Sequence, residues 1–404
     1  MRASSRRLCI GLLGVVVSAA LMTAGAAQAS AAPGTAERGA LLKAQRVATH
    51  TRAQVVDTIA GLRLPGEPAM STAKVRFGAT AYRLTYGTVG ADGAPTTATG
   101  LLLLPHNHRR HVPVVSYGHG TMAARADAPS RSLDSLAGGS ALLFAGAGFA
   151  VAAPDYLGLG FGPGAHPYMQ LATEASASLD LLRAAHAFTA TRHRELDDRT
   201  LVTGFSQGAA AAMALGKLLA DGADPHLRLA ALAPISGPYD LEHAELPALR
   251  AGRLDPAASS YYVSYLMHAW QPLYHVYDAP TDVWRGPWAA RVDRLFDGRH
   301  DDVAIMRVLP PRPAALFAGA FWDGLSHPDG ALLSAIREND VACDWAPGVP
   351  IRLFAAHADE QVAYTNARSC VAALRAHVRD VGATGHFGSA LRATPKVAAW
   401  FQRL

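Results

Sequence analysis

The sequence predicts an α/β protein: a mostly parallel sheet, helices on both faces, and a helical insertion. Three observations predict it. Short apolar runs alternate with runs of helical period along two stretches of the chain, about residues 75–238 and 341–404. A glycine-flanked serine, Gly204-Phe-Ser206-Gln-Gly208, stands between one such run and one such helix. From about Tyr239 to Asp340 the rhythm stops, and aromatic residues and prolines crowd in.

Residues 1–29 read as an export signal. Arg2, Arg6 and Arg7 form a basic start, Leu8 to Met22 an apolar stretch too short for a membrane span, and Ala27-Gln-Ala29 a small-residue cleavage site. Ser5-Arg6-Arg7 is a weak match to a twin-arginine signal, and Sec export fits equally. The expected mature protein is secreted. Removing the three arginines lowers the formal net charge from +5 to +2. That is too mild to argue for nucleic acid, and no basic block with interleaved aromatics supports it. The mature chain keeps Cys343 and Cys370. In an oxidising compartment two cysteines predict one disulfide, the alternative being two free buried thiols.

Residues 30–74 read as a weakly ordered arm with one helical stretch, Gly39 to His50. Strands follow at Val75–Thr88 and Thr96–Leu104, joined through the turn Asp92-Gly93. Val112–Tyr117 and Phe149–Ala153 read as buried strands, with a helix over Leu142–Gly148 between them. Thr173 to Ala190 has helical period. After the serine turn and its alanine-rich helix, Leu229–Ile235 is the next strand. The insertion, 239–340, reads as a cap whose aromatics would wall an acyl-binding pocket. The core resumes with a strand at Ile351–Ala355, a helix at Asn366–Leu374 and a last helix at Pro395–Leu404.

Strand, sharp turn with a central serine, helix: this is the arrangement of a nucleophile elbow. The flanking glycines let the backbone turn tightly, and the helix start behind Ser206 offers free N–H groups to an oxyanion. A serine needs a base, and the base an orienting acid, in the chain order Ser, Asp/Glu, His on such a scaffold. Asp359 lies just past a strand end, with Glu360 its nearest competitor. His386 follows in a glycine-rich stretch expected to be a loop. Its rival His377 sits at the tail of a helical run. The oxyanion donors would be the amide of Gln207 and the loop Gly118-His-Gly120-Thr121, with Gly120 and Thr121 nearest. The cluster His106-Asn-His108-Arg-Arg-His111 reads as solvated turn residues, because the arginines oppose a divalent ion. No cofactor and no metal are expected.

These stretches resemble the secreted α/β-hydrolase lipases and esterases, in particular secretory lipases similar to Candida antarctica lipase A. The resemblance rests on Val114–Thr121, Ala153–Gly160, Leu179–Ala185, Gly204–Gly208 and His357–Val362. It implies an α/β-hydrolase fold with a helical cap, and Ser206, Asp359 and His386 as nucleophile, acid and base. The expected reaction is carboxylic ester hydrolysis through an acyl-enzyme. The expected partners are a small-molecule or lipid ester and a transient lipid interface, with no stable protein partner. One departure is that the fungal lipase has an acidic side chain in its oxyanion loop where this chain reads Gly-His-Gly-Thr. A serine exopeptidase or an acyltransferase would use the same residues. For an exopeptidase, Glu242, Glu245 or Asp278 would bind an amino terminus. A hydrolase-like protein without catalysis is the remote alternative.

Overall fold

The computed structural model describes residues 37–404. The export signal expected over 1–29, with Cys9 in it, lies outside the described residues. Nine strands form one sheet: β1 (Leu41–His50), β2 (Ala79–Val89), β3 (Pro95–Pro105), β4 (His111–Gly118), β5 (Ala150–Pro154), β6 (Glu195–Phe205), β7 (Arg228–Ile235), β8 (Arg352–Ala355) and β9 (His377–Asp380). Their order is β1-β2-β3-β5-β4-β6-β7-β8-β9. The pairs β1–β2, β2–β3 and β3–β5 are antiparallel, and every pair from β5 to β9 is parallel.

Helices cover both faces. Helix α1 (Arg52–Gly61), α2 (Leu136–Gly146) and the final helix His386–Phe401 pack on one side. Helices α3 (Leu171–Ala190) and α4 (Gln207–Ala220) and the helix Thr365–Leu374 pack on the other. Consecutive side chains of a strand point to opposite faces. Leu101 and Leu103 therefore join the first core, and Leu102 and Leu104 the second. This double burial is why β3 and β4 read as continuous apolar runs.

Between β7 and β8 the chain forms short helices and one long one, Pro256–Tyr274. Its large aromatics mostly pack on each other. Trp270, Trp284 and Phe317 are fully buried. The Tyr265 ring stacks on Tyr168 from the core at 4.3 Å and on Phe296 at 4.6 Å. Asp302 accepts from Ala123 N (2.8 Å) and Tyr261 Oη (2.7 Å), joining this segment to the loop after β4. Cys343, at its end, is bonded to Cys370 in the helix Thr365–Leu374.

Four expectations are corrected. The stretch Gly39–His50 contains a strand, not a helix: β1 pairs with β2 from Leu41↔Tyr86 to His50↔Ala79. Its Leu, Lys, Ala, Gln and Arg favour helix intrinsically. Pairing wins because it satisfies the edge amides of β2. The helix begins after it, at a capping box in which Thr51 and Gln54 bond each other's backbone. Nor is the arm loose, since β1 pairs along the edge of the sheet, α1 puts Val55 and Ile59 into the core, and Glu67 reaches the site. His377 opens β9 rather than closing a helix. The final helix starts at His386, nine residues before Pro395, which lies inside it.

Candidate active site

Strand β6 ends at Phe205, and α4 starts at Gln207. Ser206 between them has φ +57° and ψ −124°. That region is strained for a residue with a side chain, at about 1–3 kcal/mol. The turn holds it: Ser206 N donates to Ile235 O at 2.9 Å, and Ala209 N to Ser206 O at 2.8 Å. Gly204 and Gly208 are required here by space, because a Cβ on either would overlap backbone of Gly208 or Gly118.

The structure brings Ser206, His386 and Asp359 together. His386 Nε2 lies 2.9 Å from Ser206 Oγ. His386 Nδ1 lies 2.8 Å from Asp359 Oδ2 and 3.1 Å from Oδ1. The imidazole and carboxylate are almost fully buried, at 1% and 2% exposed side chain. Asp359 Oδ1 also accepts the amides of Gln361 (3.0 Å) and Val362 (2.9 Å), which set its direction. The competitor Glu360 turns elsewhere: its Oε2 accepts His386 N at 3.0 Å and so anchors the start of the histidine helix. The rival His377 is exposed on β9. His106 bonds Thr80 Oγ1 at 2.8 Å, and His111 pairs with Glu195.

Gln207 and the loop after β4 meet at the serine. Gln207 N is the first amide of α4, so it has no acceptor within the helix. Gly120 lies against Ser206, whose Cβ would sit 3.4 Å from a Cβ built on the glycine. Thr121 lines the same cavity as Ser206 and Gln207, with Oγ1 3.0 Å from Tyr168 Oη. His119 braces the loop from behind. Burial keeps its ring neutral, so a single nitrogen donates. The 2.7 Å Nδ1–Gly120 O contact is the bond, rather than the 3.3 Å approach of Nε2 to Asp155 O.

Behind α4 lies a sealed polar pair. Glu174 Oε1 accepts from Gln207 Nε2 at 2.6 Å and Met169 N at 3.0 Å. Gln207 Nε2 also bonds His166 Nε2 at 3.0 Å. Burial pushes the Glu174 carboxyl up to about 8 and the His166 imidazole down to about 3. Both therefore sit uncharged at neutral pH.

Over Ser206 opens a cavity of about 80 Å³ walled largely by leucines. Among the described residues Tyr168 and Tyr262 are its only aromatics. The other aromatics of 239–340 hold that segment together instead of lining the pocket, which corrects the sequence expectation. Of the three carboxylates weighed for an amino terminus, Glu242 pairs with Arg337 and Asp278 is exposed. Glu245 alone lines the cavity.

No protein-family model matches the chain, and no curated protein matches it by sequence. Solved structures do. A Legionella pneumophila protein named only as a candidate hydrolase matches with TM-score 0.81 and 25% identity, over 90% of this chain and 97% of that one. The rice cell wall degrading esterase LipA from Xanthomonas oryzae matches with TM-score 0.79 and 27% identity, over 91% and 98%. Candida antarctica lipase A shares the fold at TM-score 0.62 and 14% identity, over 87% and 78%.

The chain has the α/β-hydrolase fold, and its structure is similar to those of a hydrolase and an esterase.

In this α/β-hydrolase several supports escaped sequence reading. Glu67, from the arm, accepts Thr384 Oγ1 at 2.5 Å and Gly385 N at 3.0 Å, just before His386. It is separated from them by more than 300 residues, and no local pattern marks it. Gln361 was equally silent. Tyr262 Oη donates to Gln361 Oε1 at 2.6 Å, tying the helix Pro256–Tyr274 to the Asp359 loop. Only the T-x-x-Q capping signal at Thr51 was available and unused.

Proposed function

We propose that this protein is an exported serine hydrolase of carboxylic esters that works through an acyl-enzyme, with 239–340 as a cap over the site. The hydrogen-bonded chain Ser206 Oγ–His386 Nε2–Asp359 carries the reading. His386 Nδ1–H donates to Asp359, which leaves Nε2 as the acceptor for the serine proton. Ser206 Oγ then attacks the ester carbonyl. Gln207 N and the Gly120–Thr121 loop donate to the oxyanion, aided by the positive end of α4. His386 protonates the leaving alcohol. Water enters, gives its proton to His386 and releases the acid from Ser206.

The cavity is about half the size of one that admits benzene, ~150 Å³. It suits a short acyl group; longer chains would require the cap to shift. The Cys343–Cys370 bond and the apolar stretch Leu8–Met22 support export. A fluorophosphonate should label the wild type and not Ser206→Ala, and equal labelling of both would sink the proposal. Rates on p-nitrophenyl acetate, butyrate and palmitate should fall along that series.

A further inference from the structure

The wall over Ser206 is leucine-rich: Leu241, Leu246, Leu249, Leu254 and Leu266 all face it. Glu245 stands in the same wall, at the end of the turn Leu241–Glu245. Its carboxyl is half used. Ala363 N at 3.0 Å and Asn366 Nδ2 at 2.6 Å both reach Oε2. Among the described residues no donor reaches Oε1, and Oε1 is not among the sealed unpaired atoms, so it keeps some exposure in a residue that lines the cavity. Among the described residues no lysine, arginine or histidine lines that cavity.

A tether to the Asp359 loop does not explain a carboxylate. An amide side chain would offer one oxygen to Ala363 N and Asn366 Nδ2 equally well, without the cost of placing a charge among leucines. That cost is visible: burial, with Asp359 adding to it and the bonds from Ala363 N and Asn366 Nδ2 and the charge of His386 opposing, leaves the carboxyl raised to about 7. The surplus oxygen and the charge call for a partner from outside the chain. An ammonium group returns most, because it neutralises the charge as it donates the bond. The site has the apolar wall to hold an alkyl part beside it.

We propose that Glu245 forms a subsite for a protonated amine carried by the ester substrate, such as an amino-acid ester. The proposal rests on the ester-hydrolase reading. The alkyl part packs on the leucines, the ammonium bonds Glu245 Oε1, and the carbonyl lies at Ser206.

The test uses n-butylammonium and n-butanol as inhibitors of p-nitrophenyl butyrate hydrolysis by the full-length mature protein. The wild type should bind butylammonium about tenfold or more tightly than butanol, the low end of what a charge-assisted bond adds. In Glu245→Gln that ratio should fall to about one, whatever happens to the basal rate. An equal ratio in both proteins overturns the proposal, and so does a wild type without preference for the amine. Should Glu245→Gln fail to fold, the wild-type ratio still decides. If p-nitrophenyl butyrate is not hydrolysed at all, the ester-hydrolase reading fails separately. The same two probes are then read by titration calorimetry.

Discussion

Gly208, in the first turn of α4, packs its backbone directly on Gly118 at the end of β4. A Cβ on Gly118 would lie 2.5 Å from Gly208 O and 3.0 Å from Gly208 Cα. This contact brings the amide of Gln207 and the loop Gly118–Thr121 to one point beside Ser206. Gly208→Ala should therefore lower stability by about 1–3 kcal/mol, as overpacking does. It should also suppress fluorophosphonate labelling. Gly61→Ala is the control: a Cβ there meets nothing within 4 Å. It should shift stability by no more than about 0.5 kcal/mol. Thermal melts of the two variants check both.

Asp359 and Glu360 are neighbours with different work. Asp359 touches the imidazole, whereas Glu360 meets His386 at its backbone amide and accepts Gln361 Nε2 with its other oxygen. Asp359→Asn should lower kcat by about 10⁴, the cost of losing the right tautomer in a triad. Glu360→Gln should lower it by about tenfold or less, since an amide oxygen still accepts from His386 N. Comparable losses in the two variants would reverse the assignment.

Glu67 ties the arm to the histidine loop through Thr384 Oγ1 and Gly385 N. Glu67→Ala removes both acceptors. It should cost about 1–3 kcal/mol of stability, the range for leaving such donors unpaired. It should lower kcat more than it raises KM, because His386 is displaced rather than the pocket. Glu67→Gln, which keeps one acceptor oxygen, should recover part of both.

Glu174 makes stability depend on pH. Its folded pKa, about 8, lies above the ordinary value of 4.5, chiefly through burial. Between those values the folded protein holds a proton that the unfolded chain has released. Stability from this group is therefore full below pH 4.5 and is lost as pH rises toward 8. Glu174→Gln keeps the acceptor for Gln207 Nε2 and cannot ionise. It should melt higher than the wild type at pH 8, by about 2 °C per kcal/mol recovered. At pH 5 the two should converge. A variant that melts below the wild type at pH 8 would overturn this assignment.

Local sequence determined much of this protein. The continuous apolar runs of β3, β4, β5 and β7, the helical runs of α3 and α4, and the serine turn are written within short segments. Each follows from burial on both faces of the sheet, from the helical period, or from a backbone bend that only small neighbours permit. The order Ser206, Asp359, His386 was likewise readable, because chain order on a parallel sheet sets which loops meet at its carboxyl end.

Tertiary structure decided the rest. The stretch Leu41–His50 favours helix by composition and becomes a strand only because β2 has an edge to fill. His386 sits at a helix start rather than in a loop, because Glu360 and Glu67 anchor its amide and the residues before it. Glu245 became part of the cavity, while Glu242 and Asp278 stayed outside it, through the fold of one short turn. These outcomes depend on partners far along the chain, so no local pattern could carry them. Side-chain pairing across such distances is settled by packing, and packing exists only once the sheet and its covering helices are in place.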